Sequence, residues 1–218
     1  MREIKVAPSI LSADFAAMGE AVERLETAGA DLVHCDVMDG TFVPLITFGS
    51  HMVEALRPHT RLPLDVHLMT INPWEKAEEF ARAGADILTV HAEACGDRLG
   101  EALRHIRSLG VKSGVAVSPH TLVESVLPYA EDFDMLLVMS VVPGRGGQKL
   151  IEDTLKKAEK ARDFFAKHGI VRDIEMDGGI TEENVSAVTA AGVNVIVAGS
   201  AVFRSSDMKR TIARLRGE

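Results

Sequence analysis

The sequence of 218 residues holds only two cysteines, Cys35 and Cys95, too few for a disulfide framework. Both fall in apolar or strand-like stretches, as reduced thiols of a cytosolic protein usually do. Aromatic residues are scarce too, at 5% with one Trp and one Tyr, so the core has to be built from aliphatic side chains. Basic charge is in deficit: 24 Lys and Arg against 32 Asp and Glu leave a formal net charge of -8, which argues against the basic face of a nucleic-acid binder. No apolar run approaches the roughly 20 residues of a membrane span. The opening MREIKVAPSIL lacks the basic segment and long apolar core of a signal peptide. The expectation is a cytoplasmic protein with neither nucleic acid nor membrane as partner. Pro-rich or Ser-rich linkers, charge blocks and low-complexity tracts are also missing, so residues 1–218 are expected to form one domain.

What is present is an alternation of short β-branched runs with longer amphipathic stretches. Eight brief apolar segments read as strands buried on both faces of a parallel sheet: 4–10, 31–36, 63–68, 86–92, 112–117, 134–140, 172–177 and 194–199. Helices are expected at 14–28, 74–83, 97–109, 148–167, 182–191 and 206–216, with Asp14, Asn72 and Thr181 as caps near three of their starts. Three helices close on nearly one phrase, ETAGADLV, ARAGADIL and AAGVNVIV, in which Gly29, Gly84 and Gly192 can take the left-handed conformation that ends a helix. Eight consecutive βα units favour a closed (β/α)8 TIM barrel over an open doubly wound sheet, and the first strand runs into PSILSADF without a GxGxxG. In such a barrel the chemistry lies at the C-terminal strand ends.

The polar residues at those ends are Ser9, His34, Asp36, His67, His91, Glu93 and Asp177. His34 and Asp36 are two apart and so share one face of their strand, here the lumen. With His67 from the next strand and Asp177 from across the barrel, two imidazoles and two carboxylates converge, a set suited to a divalent ion such as zinc, manganese, cobalt or iron with positions open for substrate. Any one of them could instead be a core histidine or a structural ion pair; four at the correct strand ends favour the metal. Glycine provides a second signal. GRGGQ (144–148), DGG (177–179) and GSAVF (199–203) follow strands 6, 7 and 8, where barrels bind phosphate through backbone N–H groups.

The segments APSILSADF, HCDVMDGTFVP, PLDVHLM, TVHAEA, VPGRGGQK, EMDGGI and VAGSAVF, in this order over essentially the whole chain, resemble the ribulose-phosphate 3-epimerases. The resemblance implies a barrel of the ribulose-phosphate-binding type that interconverts ribulose 5-phosphate and xylulose 5-phosphate with a bound divalent metal. It implies metal ligation by His34, Asp36, His67 and Asp177, with Asp36 and Asp177 doubling as the acid/base pair. Substrate contacts would come from Ser9, His67, Met38, Met69 and Met139, the methionines being equally well explained as core filling. Phosphate would be held around Gly144, Arg145, Gly146, Gly147, Gly178, Gly179, Gly199 and Ser200. The residue types fit that chemistry on their own terms, because inverting a carbon beside a ketone needs one group to remove a proton and another to return one on the opposite face.

Four positions depart from the family's usual FVPN and NPGFGGQKF: Leu45, Val142, Arg145 and Leu150. They lie on the loops expected to cover the substrate, so a hexulose phosphate such as allulose 6-phosphate stays open as the alternative substrate. Arg145 reads either as a solvated loop charge or as a donor to the substrate's anionic end. A lyase of a related barrel would want a lysine near the reacting carbon, and HCDVMD offers none. Apolar helix faces and the resemblance together suggest a homo-oligomer.

Overall fold

The computed structural model describes residues 2–218. Eight parallel strands, β1 (Lys5–Ala7), β2 (Val33–Met38), β3 (Leu64–Met69), β4 (Ile87–His91), β5 (Lys112–Val117), β6 (Met135–Met139), β7 (Asp173–Asp177) and β8 (Val195–Val197), form one sheet in the order β1-β8-β7-β6-β5-β4-β3-β2. The two ends of that order meet. Ser9, just past β1, bridges to His34 of β2, and the His34 N–H donates to the Pro8 carbonyl at 3.1 Å. Asp31 pins this seam, accepting from the Val6 N–H at 2.8 Å and from Arg216 Nη2 at 2.9 Å. The result is a (β/α)8 barrel.

Helices α1 (Met18–Thr27), α2 (Ser50–Leu56), α3 (Ala77–Arg82), α4 (Ala92–Cys95), α5 (Leu99–Ser108), α6 (Leu155–His168), α7 (Val185–Ala190), α8 (Ser200–Phe203) and α9 (Met208–Arg216) surround it. The strand pleat sorts the side chains. Val33, Cys35 and Val37 of β2 and Leu64, Val66 and Leu68 of β3 join the core between sheet and helices, while the alternate residues fill the lumen. The lumen holds an apolar cluster that includes Ala7, Ile87, Met135 and Val195 beside the buried polar residues His34, Asp36, Asp65, His67 and Glu175, so the barrel is a packed core.

The expected strands are all present, though β1 and β8 are cut to three residues each. Gly29, Gly84 and Gly192 do carry positive φ, at 85°, 98° and 106°, directly after α1, α3 and α7. Asp14 caps as expected, its Oδ1 accepting from the Ala16 N–H at 2.9 Å. Asn72 does not cap; it sits in the left-handed region at φ 47° and offers no side-chain bond to the following turn. Nor does Thr181, since Asn184 Oδ1 accepts from the Thr181 N–H and Asn184 itself precedes α7. The helix expected from residue 148 begins only at Leu155, after a 3-10 turn at Glu152–Thr154, because 148–150 form no regular element and pack their backbone against Gly179. The helix α2, not anticipated, follows β2, and the β5–β6 connection holds only two 3-10 turns, the second containing Pro128, which lacks the N–H a helix would use.

Candidate active site

A cavity of about 740 Å³ opens at the C-terminal end of the barrel. Its walls include Ser9, Asp36, Met38, Met69, Met139 and Asp177 on one side and Gly144, Arg145, Gly146, Gly147, Gly178, Gly179, Gly199 and Ser200 on the other. Almost every residue expected at the site therefore reaches one chamber. His67 is the exception among the expected substrate contacts. It is fully buried behind Asp36, with its ring between Asp36 and His91 and no surface on the cavity.

Asp36 is the hub. Its Oδ2 accepts from the Ser9 hydroxyl at 2.5 Å, so that hydroxyl, which lines the cavity, is committed to holding the carboxylate. Its Oδ1 lies 3.2 Å from His67 Nδ1 and 3.5 Å from His34 Nε2. Burial alone would raise the Asp36 pKa, but the charge of His34, 3.5 Å away, and the hydrogen bond with His67 hold it well below the carboxylate range. Asp177 is placed oppositely. Its depth in the mouth and the facing charge of Asp36 push it up to about 7.

Ligating atoms of His34, Asp36, His67 and Asp177 lie within 4.8 Å of one another, a group able to bind a metal ion. The fit is tested by His34. Its Nδ1–H donates to Asp65 Oδ2 at 2.6 Å, and its Nε2, fully buried and directed at Asp36, has no hydrogen-bond partner. A buried ring nitrogen left without a hydrogen-bond partner beside a carboxylate is costly, and a bound cation would satisfy both groups. His34, Asp65 and Glu175 form a second cluster lower in the lumen, but His34 Nδ1 is already spent there. Burial, followed by the neighbouring Asp65 charge, raises Glu175 well above the usual range, so a neutral carboxyl stands beside that ion pair. Asp65 and Glu175 were not singled out in the sequence, although each stands two residues before a proposed ligand, in LDVH and EMD, and so shares its face.

The opposite wall is backbone. The N–H groups of Gly178, Gly179, Gly199 and Ser200 find no acceptor in the protein among the described residues. Gly179 has φ 67°, and a Cβ there would collide with the Leu150 N–H and the Gln148 carbonyl. Gly178 has φ 125°, and its Cβ would meet Val141 at 2.5 Å. Of the four departing lid positions, Arg145 and Leu150 line the cavity, whereas Leu45 and Val142 do not and are about half exposed. The lid is stapled by Asp39, also unanticipated, whose Oδ1 accepts from the Thr41 and Phe42 N–H groups and whose Oδ2 accepts from the Ile71 N–H, each at 2.8 Å.

A closed parallel barrel with paired carboxylates and free amides at its C-terminal mouth defines a (β/α)8-barrel enzyme. The same architecture occurs in KGPDC from Streptococcus mutans, at TM-score 0.72 and 13% identity over 99% of this chain and 97% of that one, a likeness of fold alone. The model of the ribulose-phosphate 3-epimerase family matches residues 5–203. The chain is 50% identical to the ribulose-phosphate 3-epimerase of Bacillus subtilis strain 168, covering 98% of this chain and 99% of that protein. It is 46% identical to the chloroplastic ribulose-5-phosphate-3-epimerase of Arabidopsis thaliana, over 98% of this chain and 76% of the relative. The chain belongs to the ribulose-phosphate 3-epimerase family. Among the described residues no helix is long and apolar enough to cross a membrane.

Proposed function

We propose that this chain, as a single domain, interconverts D-ribulose 5-phosphate and D-xylulose 5-phosphate, with Asp36 and Asp177 moving the proton at carbon 3. The observation that carries the assignment of roles is the unlike state of two carboxylates in one chamber: Asp36 is held ionised, and Asp177 is pushed up to about 7. One can accept a proton at neutral pH while the other holds one to give, which is what inversion between opposite faces requires. Ser9 keeps Asp36 aimed, and the sulfurs of Met38, Met69 and Met139 close the chamber against water without adding charge.

His34, Asp36, His67 and Asp177 would hold a divalent ion, zinc, manganese, cobalt or iron. When bound, such an ion supplies positive charge that offsets the negative charge developing on the substrate oxygens as the proton leaves. The phosphate is bound by the free amides of Gly178, Gly179, Gly199 and Ser200, with the loop 144–147 and Arg145 closing over it. The pentulose reading is supported by two of the four departing lid positions, Leu45 and Val142, which do not line the cavity. The test is a pair of progress curves, ribulose 5-phosphate and allulose 6-phosphate, on protein of measured metal content. Faster turnover of the hexulose phosphate would reassign the substrate, and full turnover after chelation would remove the metal.

A further inference from the structure

His91 and Glu93, at the end of β4 and the start of α4, stand outside the acid/base pair and the ligand set, yet they touch it. His91 Nε2 lies 2.9 Å from His67 Nε2, and His91 Nδ1 lies 3.0 Å from Glu93 Oε2. The ring centroids of His67 and His91 are 5.0 Å apart with planes 27° from parallel, which places both nitrogens between the ring centres. The imidazoles therefore meet edge to edge, as an N–H···N bond requires, and are not stacked face to face. His67 and His91 are fully buried, and the Phe42 ring covers His91 at a centroid distance of 4.7 Å.

Proton counting along this chain of atoms gives it a direction. Glu93 is an acceptor on both oxygens: Oε1 takes the Ser118 N–H at 2.8 Å and the Thr121 hydroxyl, and Oε2 faces His91. Lys157 Nζ holds the same loop by donating to the carbonyls of Ser118, Pro119 and Thr121 at 2.8, 2.7 and 2.6 Å. A neutral imidazole has one N–H, and Glu93 claims that of His91 at Nδ1. Two neutral imidazoles carry two N–H groups for three contacts, so once His67 Nδ1, 3.2 Å from Asp36 Oδ1, gives up its proton to a bound cation, the two that remain serve Glu93 and the His67–His91 contact, with His67 carrying its proton on Nε2.

We infer that Glu93 and His91 form a positioning relay that fixes the tautomer and ring orientation of His67 so that Nδ1 can ligate the metal. His34 receives the same service directly, from Asp65. A metal-bound histidine generally gives its other N–H to a carboxylate or carbonyl, and loss of that partner costs about 10- to 100-fold in metal affinity. The inference rests on the metal site proposed above, and its test separates the two.

Cobalt(II) affinity, measured by chelator competition, and the visible spectrum of the cobalt-loaded protein are compared for wild type, His67→Ala, His91→Ala, Glu93→Gln and the His91→Ala/Glu93→Gln double variant. Circular dichroism and thermal unfolding of the metal-free proteins accompany them. Glu93→Gln and His91→Ala are each expected to weaken cobalt binding by about tenfold or more and to alter the spectrum. Because the two residues act in series, the double variant should bind no more weakly than His91→Ala alone. Wild-type affinity and spectrum in both single variants, with binding lost in His67→Ala, would overturn the relay and keep the metal site; losses that add in the double variant would also overturn it, in favour of two packing defects. Unchanged binding in His67→Ala would overturn the ligand assignment and the relay together. Should His91→Ala not fold, the volume-preserving Glu93→Gln decides alone.

Discussion

The two sides of the barrel mouth meet the substrate with different kinds of atom. On the β2–β4 side the groups are side chains, and each is held by others: Asp36 by Ser9, His34 by Asp65, His67 by His91. On the β6–β8 side, Asp177 apart, they are backbone amides, held by positive φ angles and by close contacts of Gly178 with the Val141 side chain and of Gly179 with the Gln148–Leu150 backbone. The first arrangement tunes charge and proton position, which a backbone cannot do. The second presents fixed dipoles to an anion without side-chain entropy or a titrating group. Damage to the first side should appear in turnover and metal binding, and damage to the second in affinity for the phosphorylated substrate.

The largest expected effect is on the acid/base pair, which spans the two sides, Asp36 on β2 and Asp177 on β7. Asp177→Asn should lower kcat by about 10²- to 10⁴-fold in protein of unchanged metal content. Solvent deuterium should still enter unreacted substrate through the remaining base. A metal-replete variant that epimerises at the wild-type rate would dissolve the two-carboxylate scheme. On the backbone wall, Gly179→Ala places a Cβ against Leu150 N and Gln148 O at a positive φ. A strain on the order of 1–3 kcal/mol converts to a KM increase of roughly tenfold or more, and steady-state kinetics should find kcat far less affected.

A smaller effect concerns pH. The carboxyl of Asp177 is raised from 3.8 to about 7 in the folded chain, so between these values the native state binds a proton that the unfolded chain releases. Its contribution to stability is therefore complete below the unfolded pKa and is lost as pH rises through about 7. His91, lowered by burial to about 4, works the other way over part of that range, so the clean readout is a difference. Metal-free Asp177→Asn should gain melting temperature relative to metal-free wild type as pH goes from about 5 to 8; a constant gap would mean that Asp177 is not strained in the apo protein. The smallest effect is expected at Gly146, whose φ is not positive and whose Cβ would meet only Leu11 at 4.0 Å. Gly146→Ala should leave KM within about twofold, and a large change there would show that the loop after β6 packs more tightly on substrate than the wall after β7.

Much of this was legible in the chain because barrel strands are read by a period of two. His34 and Asp36 declare a shared face by spacing alone, and DGG and GSAVF mark strand ends where the backbone must come close. The same period marks Asp65 with His67 and Glu175 with Asp177, yet nothing in LDVH or EMD says which of two lumen residues sits higher, and depth separates a ligand from its support. Helix starts were less legible. The stretch 148–154 has helical composition, but the backbone of 148–150 is spent against Gly179 and 152–154 form only a 3-10 turn.

The sequence by itself determined the alternation of strands and helices, the lumen face of each strand and the family, since these depend on local periodicity and on motif order along the chain. Only the tertiary structure decided that Ser9 serves Asp36, that His67 stands behind the cavity wall and that His91 hands the charge of Glu93 to His67. It also decided that two chemically identical carboxyls take opposite states. The physical reason is that pKa and tautomer are set by the groups within a few ångströms, and those groups come from strands whose distance in space follows from barrel closure rather than from their separation along the chain.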